Sequence, residues 1–529
     1  MDSQNRILIA ITLSVLVLVT YQKVFIPQAR PKTNRIITVS SSTNTPEKEP
    51  IKRDFEEKTA ILENKTLKIQ ITNAGAFIKQ IWLKKYSDPK SNTPINILDE
   101  KVITETYAGP ALLEDKFSET PQAAKWELAE HDPEHARYVL KGVAGVDITK
   151  EIFLHNSSYG IELRLSIKNN SSLPTIVNYK LIGASSIFSK QELDDRFVGI
   201  DIKMGEDIKR LNPKSKTLAT GGNTYYNSPK WISIRGRYFS LVLEPKQEEQ
   251  GCFAERENKT SVQTGVIIGP ITMKPGETIS REFILYAGPN DTAEIQKTSQ
   301  NMYDAITFGI FGSISSALLK MLNFLNKVLG NYGLAIIVLT ILVNLVLFPL
   351  TAKSLKSMKA MQALQPEMER LRRELKDNQQ KLSKETMELY KKHKINPLGG
   401  CLPMLLQMPV FIALYQTLIR AIELKGAHFL WIKDLSEADA TIKLPGVMPL
   451  VGNAINILPL FMIAAMFLQQ KISQPKGAQT EQQRMFAFIV PVMVGMFTYT
   501  LPSGFVLYWF TSTSIMIIMQ EFVLKVRHA

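Results

Sequence analysis

Five apolar runs dominate the C-terminal part of this 529-residue chain, at about 332–351, 401–420, 457–473, 485–502 and 504–524. Crossing a hydrocarbon core of about 30 Å takes roughly 20 helical residues, so each run is read as a membrane span. The run at 457–473, which opens on "NILPLF" with Pro459 in its first turn, is the shortest and suits a thinner stretch of bilayer. A further run, Ile7–Val19, lies in "MDSQNRILIAITLSVLVLVTYQKVF" and is followed by "YQKVFIPQAR" rather than by a small-residue cleavage site. We read residues 1–27 as an uncleaved signal anchor, which brings the spans to six.

Loop charge sets the expected orientation. Residues 353–396 carry 12 Lys and Arg against 6 Asp and Glu, whereas 422–456 carry only Lys425, Lys433 and Lys443 against four acids. The positive-inside rule puts 353–396 in the cytoplasm, together with both termini and the short tail 526–529. Within this segment Leu355, Met358, Met361, Leu364, Met368, Leu371 and Leu375 follow one helical stripe, "KDNQQ" makes a turn, and Leu382, Met387 and Leu389 or Tyr390 continue a second. The pattern predicts a cytoplasmic helical hairpin whose lysines form either a solvated face or a docking surface for a ribosome or lipid headgroups.

The N-terminal half has a different texture. Residues 28–57, rich in Pro, Thr, Ser, Asn and Lys, lack periodicity and read as a flexible tether. From 58 to 305, short alternating runs bounded by turn residues, among them "LKIQITN", "IELRLSIKNN" and "REFILYAG", predict a large β-sandwich outside the cytoplasm. Residues 306–331 set Leu318, Leu322, Leu325 and Val328 at helical spacing among Lys320, Asn323 and Lys327, as in an amphipathic helix lying in the membrane interface.

Several chemistries lack support. Two cysteines, Cys252 and Cys401, fall in different compartments on this topology and form no disulfide framework. His131 and His135 are the one close histidine pair, and Pro133 between them argues against a metal-binding helical face. Neither GxxxxGK[ST] nor HExxH occurs, so no ATP hydrolysis, zinc proteolysis or cofactor is expected. The formal net charge of +14 comes without a nucleic-acid-binding motif and fits cytoplasmic loops facing anionic lipid.

Four runs, in order and spacing, carry a family likeness: "GNYGLAIIVLTILVNLVLFPLT", "LQPEMERLR", "NPLGGCLPMLLQMPVFIALY" and "LPSGFVLYW". The chain resembles the YidC group of the YidC/Oxa/Alb membrane protein insertases, and "MDSQNR" matches the start common in Gram-negative members. The resemblance implies a non-enzymatic insertase and chaperone of the inner membrane, which inserts nascent membrane proteins alone or with the Sec translocon. It implies five core helices within 332–525 around a polar groove open to cytoplasm and lipid but closed outside, a ribosome contact at the hairpin and C-terminal tail, and a periplasmic β-supersandwich like that of sugar mutarotases. Fold likeness of that last kind does not bring catalysis with it.

Polar groups in a membrane helix are costly and face either a wet cavity or another helix. Thr340, Asn344 and Phe348 are four apart and share one face. Facing candidates are Gln407, Met408, Gln416 and Thr417 on the second of the five runs, and Tyr508, Trp509, Ser512 and Thr513 on the last. Each polar one either lines the groove or makes a helix-packing bond worth about 1 kcal/mol. A secondary transporter or channel would use the same polar face, but no internal repeat supports that alternative. One position departs from the family: Gram-negative members typically carry an arginine where this chain has Asn344, so a fixed positive charge does not carry over. Arg420, the one arginine within the five runs, stands about 15 Å farther out by helical rise and is expected to snorkel to the outer interface.

Overall fold

Residue-by-residue alternation builds the β part. In the strand Val146–Leu154 every second residue is buried, which turns Val146, Ile148, Ile152 and Leu154 inward and leaves Asp147 and Glu151 on the wetter face. The strand belongs to a nine-stranded antiparallel sheet that also holds Phe239–Pro245, Thr278–Pro289 and Gly160–Asn169 as successive neighbours. A five-stranded sheet around Val262–Met273 and a four-stranded sheet beginning at Thr59–Glu63 complete the set, and all enclose one core with Trp126, Tyr138, Trp231 and Phe283 fully buried. The computed structural model describes residues 55–525 apart from short stretches, the longest being 116–123, 186–196, 394–401 and 474–480. The expected N-terminal anchor, nearly all of the tether, Cys401 and the tail 526–529 lie outside the described residues.

The same alternation carries Lys150 into the core. Its Nζ donates to the carbonyls of Gly75 (3.0 Å), Ala76 (2.8 Å) and Ala111 (2.7 Å) and lies 4.6 Å from the centre of the Trp126 ring. Three ammonium protons thus meet three acceptors, and the lysine pins two loops to the sheet. Burial acts against it, pushing the amine down to about 7. Cys252 is buried as well, and burial lifts its thiol to about 12, which leaves it a packing residue.

Nine helices are described: α1 (Thr292–Thr298), α2 (Gly312–Leu329), α3 (Tyr332–Ala363), α4 (Gln365–Glu374), α5 (Gln379–Lys392), α6 (Leu402–Arg420), α7 (Ile457–Ser473), α8 (Glu481–Thr498) and α9 (Ser503–Lys525). Among the described residues α3, over Tyr332–Met361, is the helix long and apolar enough by itself to cross a membrane, while Ile457–Ile472 and Ala487–Thr498 are shorter apolar helices. Helix α3 runs straight through Pro349, so Leu355, Met358 and Met361, expected in the hairpin, continue the long helix instead. Proline removes one backbone bond, which a helix in lipid tolerates when neighbours satisfy the freed group. Helix α5 starts at Asn378, whose side chain accepts from the Lys381 amide at 3.0 Å.

Tertiary contacts fix the other helix positions. On α2 the stripe of Leu318, Leu322 and Leu325 packs against the helical core, while Ile314, Met321, Phe324 and Val328 on the adjoining arc stay exposed. Three of the four residues expected to meet the membrane, Leu318, Leu322 and Leu325, therefore face protein, whereas Val328 stays exposed, because the apolar arc is wide enough to serve both. Helix α7 begins where the buried Asp439 accepts from the Leu458 amide (2.6 Å) and the Ile457 amide (3.2 Å), a carboxylate at a helix N-terminus. Arg237, 3% exposed in the turn after Trp231–Arg235, joins the β part to the helices. Its Nε donates to the Ile419 carbonyl (2.7 Å) and its Nη2 to that of Ser436 (2.9 Å), so it caps the C-terminal end of α6.

Candidate functional site

The helical core is tight at one end only. Ala335, Ile336 and Leu339 of α3, Leu414 and Leu418 of α6, Leu458 and Met462 of α7, and Phe505 and Val506 of α9 form a buried cluster at the end nearest the β part. Close backbone approach helps: a Cβ on Gly333 would come within 2.1 Å of the Phe429 ring. Away from that end the helices part around a cavity of about 620 Å³. Between the two lies an aromatic plug, in which Phe411 stands edge-on to Phe505 (5.2 Å) and to Trp509 (5.0 Å).

Helical spacing brings the polar side chains together. Asn344, Thr351, Ser354 and Met358 recur along one face of α3, and Tyr508, Ser512, Met516 and Gln520 recur every four residues along α9. Asn344 is 5% exposed and donates from Nδ2 to the Thr340 carbonyl (2.8 Å) and, more weakly, to Ser512 Oγ (3.4 Å). Its Oδ1 accepts no bond from the described residues. The nitrogen is thus tethered to its own helix while the oxygen is left for water or a visiting chain. Across the cavity Gln407 Nε2 donates to the Tyr508 hydroxyl at 3.2 Å. Met408, Trp509 and Thr513 line the same space, and none of the described lining side chains carries a formal charge at neutral pH.

Other candidates fall elsewhere. Thr340 is fully buried and turns its hydroxyl back to the Ile336 carbonyl (2.6 Å), and half-buried Phe348 is not among the lining residues. Gln416 lies outside the cavity with a buried Oε1 that has no partner among the described residues. Thr417 bonds to the Ala413 carbonyl (2.8 Å) and the Ser315 carbonyl (3.2 Å), which makes it a packing residue between α6 and α2. Conversely, Gln469, Gln520, Ser354 and Thr351 line the cavity, and sequence spacing alone did not select them. The four-residue spacing from Tyr508 through Ser512 extends to Gln520; nothing local points to Gln469.

Comparison with known proteins divides the chain within α2. The family described as YidC periplasmic domain matches residues 60–321, and the one described as 60Kd inner membrane protein matches residues 324–529. The membrane protein insertase YidC of Pelobacter propionicus is 30% identical over 553 residues, covering 99% of either chain. This chain belongs to the YidC family. A YidC of Actinobacillus pleuropneumoniae is also 30% identical, over 88% of this chain and 85% of its own.

Among solved structures, an active YidC insertase is similar over 89% of this chain and 94% of its own, at 18% identity and a TM-score of 0.37. A galactose mutarotase related enzyme from Lactobacillus acidophilus is similar over 44% of this chain and 97% of its own, at 12% identity and a TM-score of 0.32. Both scores are too low to carry an argument. The YidC match assigns the three large β sheets, α1 and the first half of α2 to a periplasmic domain, and the end of α2 with α3 to α9 to a domain of the inner membrane. Within that frame Arg420, expected at the outer lipid interface, instead meets the β domain, with its guanidinium 5.4 Å from the Phe197 ring centre. The β domain covers the end of α6 that a lone helix would have exposed.

Proposed function

We propose that the cavity is an insertion groove, through which the chain passes the hydrophilic flank of a nascent membrane protein partway into the bilayer while the apolar segment slides into lipid. One observation carries the reading: a cavity between α3, α6 and α9 whose described lining is polar and uncharged, stopped by the Phe411, Phe505 and Trp509 plug on the β-domain side. An unsatisfied backbone group in hydrocarbon costs several kcal/mol, and carboxamides and hydroxyls at half depth lower that barrier. Asn344, Gln407, Met408, Tyr508, Trp509 and Ser512 contact substrate, whereas Thr340, Phe348 and Gln416 support the walls.

The rest of the architecture follows from the same reading. Six spans, with both termini in the cytoplasm, carry the β domain of residues 58–305 on a tether and open the groove to the cytoplasm. Helices α4 and α5 form the cytoplasmic hairpin, which with the C-terminal tail meets the ribosome and anionic headgroups, and the Sec translocon is an auxiliary partner. Photocrosslinkers at Asn344, Gln407 and Tyr508 should each yield adducts with a ribosome-bound nascent membrane protein. Absence of adducts at all three positions in a folded protein sinks the groove.

A further inference from the structure

Leu430 and Trp431 form the tip of a tight turn outside the groove. Phe429 and Ile432 exchange both backbone bonds, each 2.9 Å, which makes Leu430 and Trp431 the central pair of a two-residue hairpin. Of that pair Leu430 alone has positive φ, at +51°, in the place where this kind of turn takes glycine. A bulky side chain in left-handed backbone is strained, and the strain persists only where the surrounding structure imposes it. Here it holds a leucine outward: Leu430 is 72% exposed, so no burial within the protein offsets the strain.

The base of the turn is fixed in depth. Asn331 Nδ2 donates to the His428 carbonyl (3.1 Å), and the Phe429 ring fills the space beside Gly333, which ties the turn to the start of α3. The Leu435 amide donates to the Ala427 carbonyl (2.9 Å), and the Gly504 amide at the start of α9 donates to the Leu435 carbonyl (2.8 Å). Trp431 stands edge-on to Phe461 at 6.0 Å, about 6 Å along α7 from its first residue. Arg237 of the β domain bonds to Ser436 in the same segment, so the turn lies at the periplasmic ends of three helices.

The neighbours of the tip say what covers it. Leu460 and Phe461 of α7 are exposed, so Leu430 and Trp431 continue an apolar surface that the inner-membrane domain turns outward. His428 and Lys433, both exposed, flank the tip. An apolar tip with a tryptophan beside it and a basic fringe matches the boundary between acyl chains and anionic headgroups. We propose that this turn is a lipid anchor: Leu430 sits among acyl chains of the outer leaflet, Trp431 lies at the interface, and Lys433 reaches headgroup phosphates. The anchor sets the depth of the outer ends of α3, α7 and α9. It needs only the membrane location of the chain and does not rest on the groove.

The test uses the full-length protein in nanodiscs of phosphatidylethanolamine and phosphatidylglycerol, with a nitrobenzoxadiazole fluorophore on Leu430→Cys. Cys401→Ser removes a competing thiol, and Cys252 is buried. The same fluorophore on Leu173→Cys, 70% exposed in a turn of the β domain, reports water. Relative to that control, the Leu430 probe should emit at shorter wavelength, lose its quenching by iodide, and be quenched by a lipid carrying a nitroxide high on its acyl chain. A probe on the exposed His428→Cys should be quenched best by a headgroup nitroxide, and this decides the matter if the Leu430 variant does not fold. Iodide quenching equal to that of the control overturns the proposal, because the tip then stands in water. Shielding from iodide and from both nitroxides overturns it as well, because protein then covers the tip.

Discussion

Lys150 in the β domain and Asn344 in the helical core meet the same cost, a polar group removed from bulk water, in opposite ways. Lys150 uses every proton on a backbone carbonyl and faces Trp126, so nothing is left over to bind. Asn344 spends its nitrogen on its own helix and on Ser512, and keeps an oxygen toward a cavity. A saturated buried group is a clamp, and an unsaturated one beside a wet space is a contact site.

The largest expected effect tests the clamp. Lys150→Met leaves three buried carbonyls without a donor and should cost roughly 3–5 kcal/mol, read as the unfolding free energy of the β domain in the full chain. The site also predicts a pH slope. With the folded amine pushed down to about 7 from 10.5, the native state gives up the proton first, so the unfolded state binds more protons across that window. Stability should therefore rise between about pH 7 and pH 10.5 in the wild type, and the slope should vanish in Lys150→Met. A flat wild-type curve would mean that the carbonyls and Trp126 offset burial in full.

An intermediate effect tests the contact site. Asn344→Arg should be tolerated, because its guanidinium reaches the cavity, and should favour substrates with acidic translocated tails by up to about tenfold, the worth of ~1.4 kcal/mol. Insertion assays with matched acidic and neutral tails measure this. Loss of all insertion would show that Asn344 holds the fold together as Lys150 does, and the contrast would fall. The smallest effect belongs to Thr417→Val, which removes bonds to Ala413 and Ser315 only and should lower thermal stability by about 1 kcal/mol or less while crosslinking from Gln407 stays unchanged. A drop in crosslinking there would extend the groove to the α2 side of α6.

Legibility in the sequence followed the range of the interaction. Apolar runs, alternating strands and four-residue spacing are local, and they placed Asn344, Tyr508 and Ser512 on the faces that the fold brings together. At Val146–Leu154 strict alternation sets Lys150 among the inward residues, yet the carbonyls it meets lie about 39 to 75 residues earlier and leave no local trace. Thr417 and Gln407 sit on one helix, and nothing within that helix says which faces α2 and which faces α9.

Composition and periodicity by themselves determined that the chain has a β-rich part and a membrane part, because burial of apolar residues repeats every two positions in a strand and about every 3.6 in a helix. Only the tertiary structure decided which polar groups are spent and which are spare. Lys150 depends on loops around residues 75 and 111, Arg237 on carbonyls far along the chain at Ile419 and Ser436, and Asn344 on Ser512. Whether a buried group is satisfied is a sum over partners distant in sequence, and that sum exists only once the chain has folded.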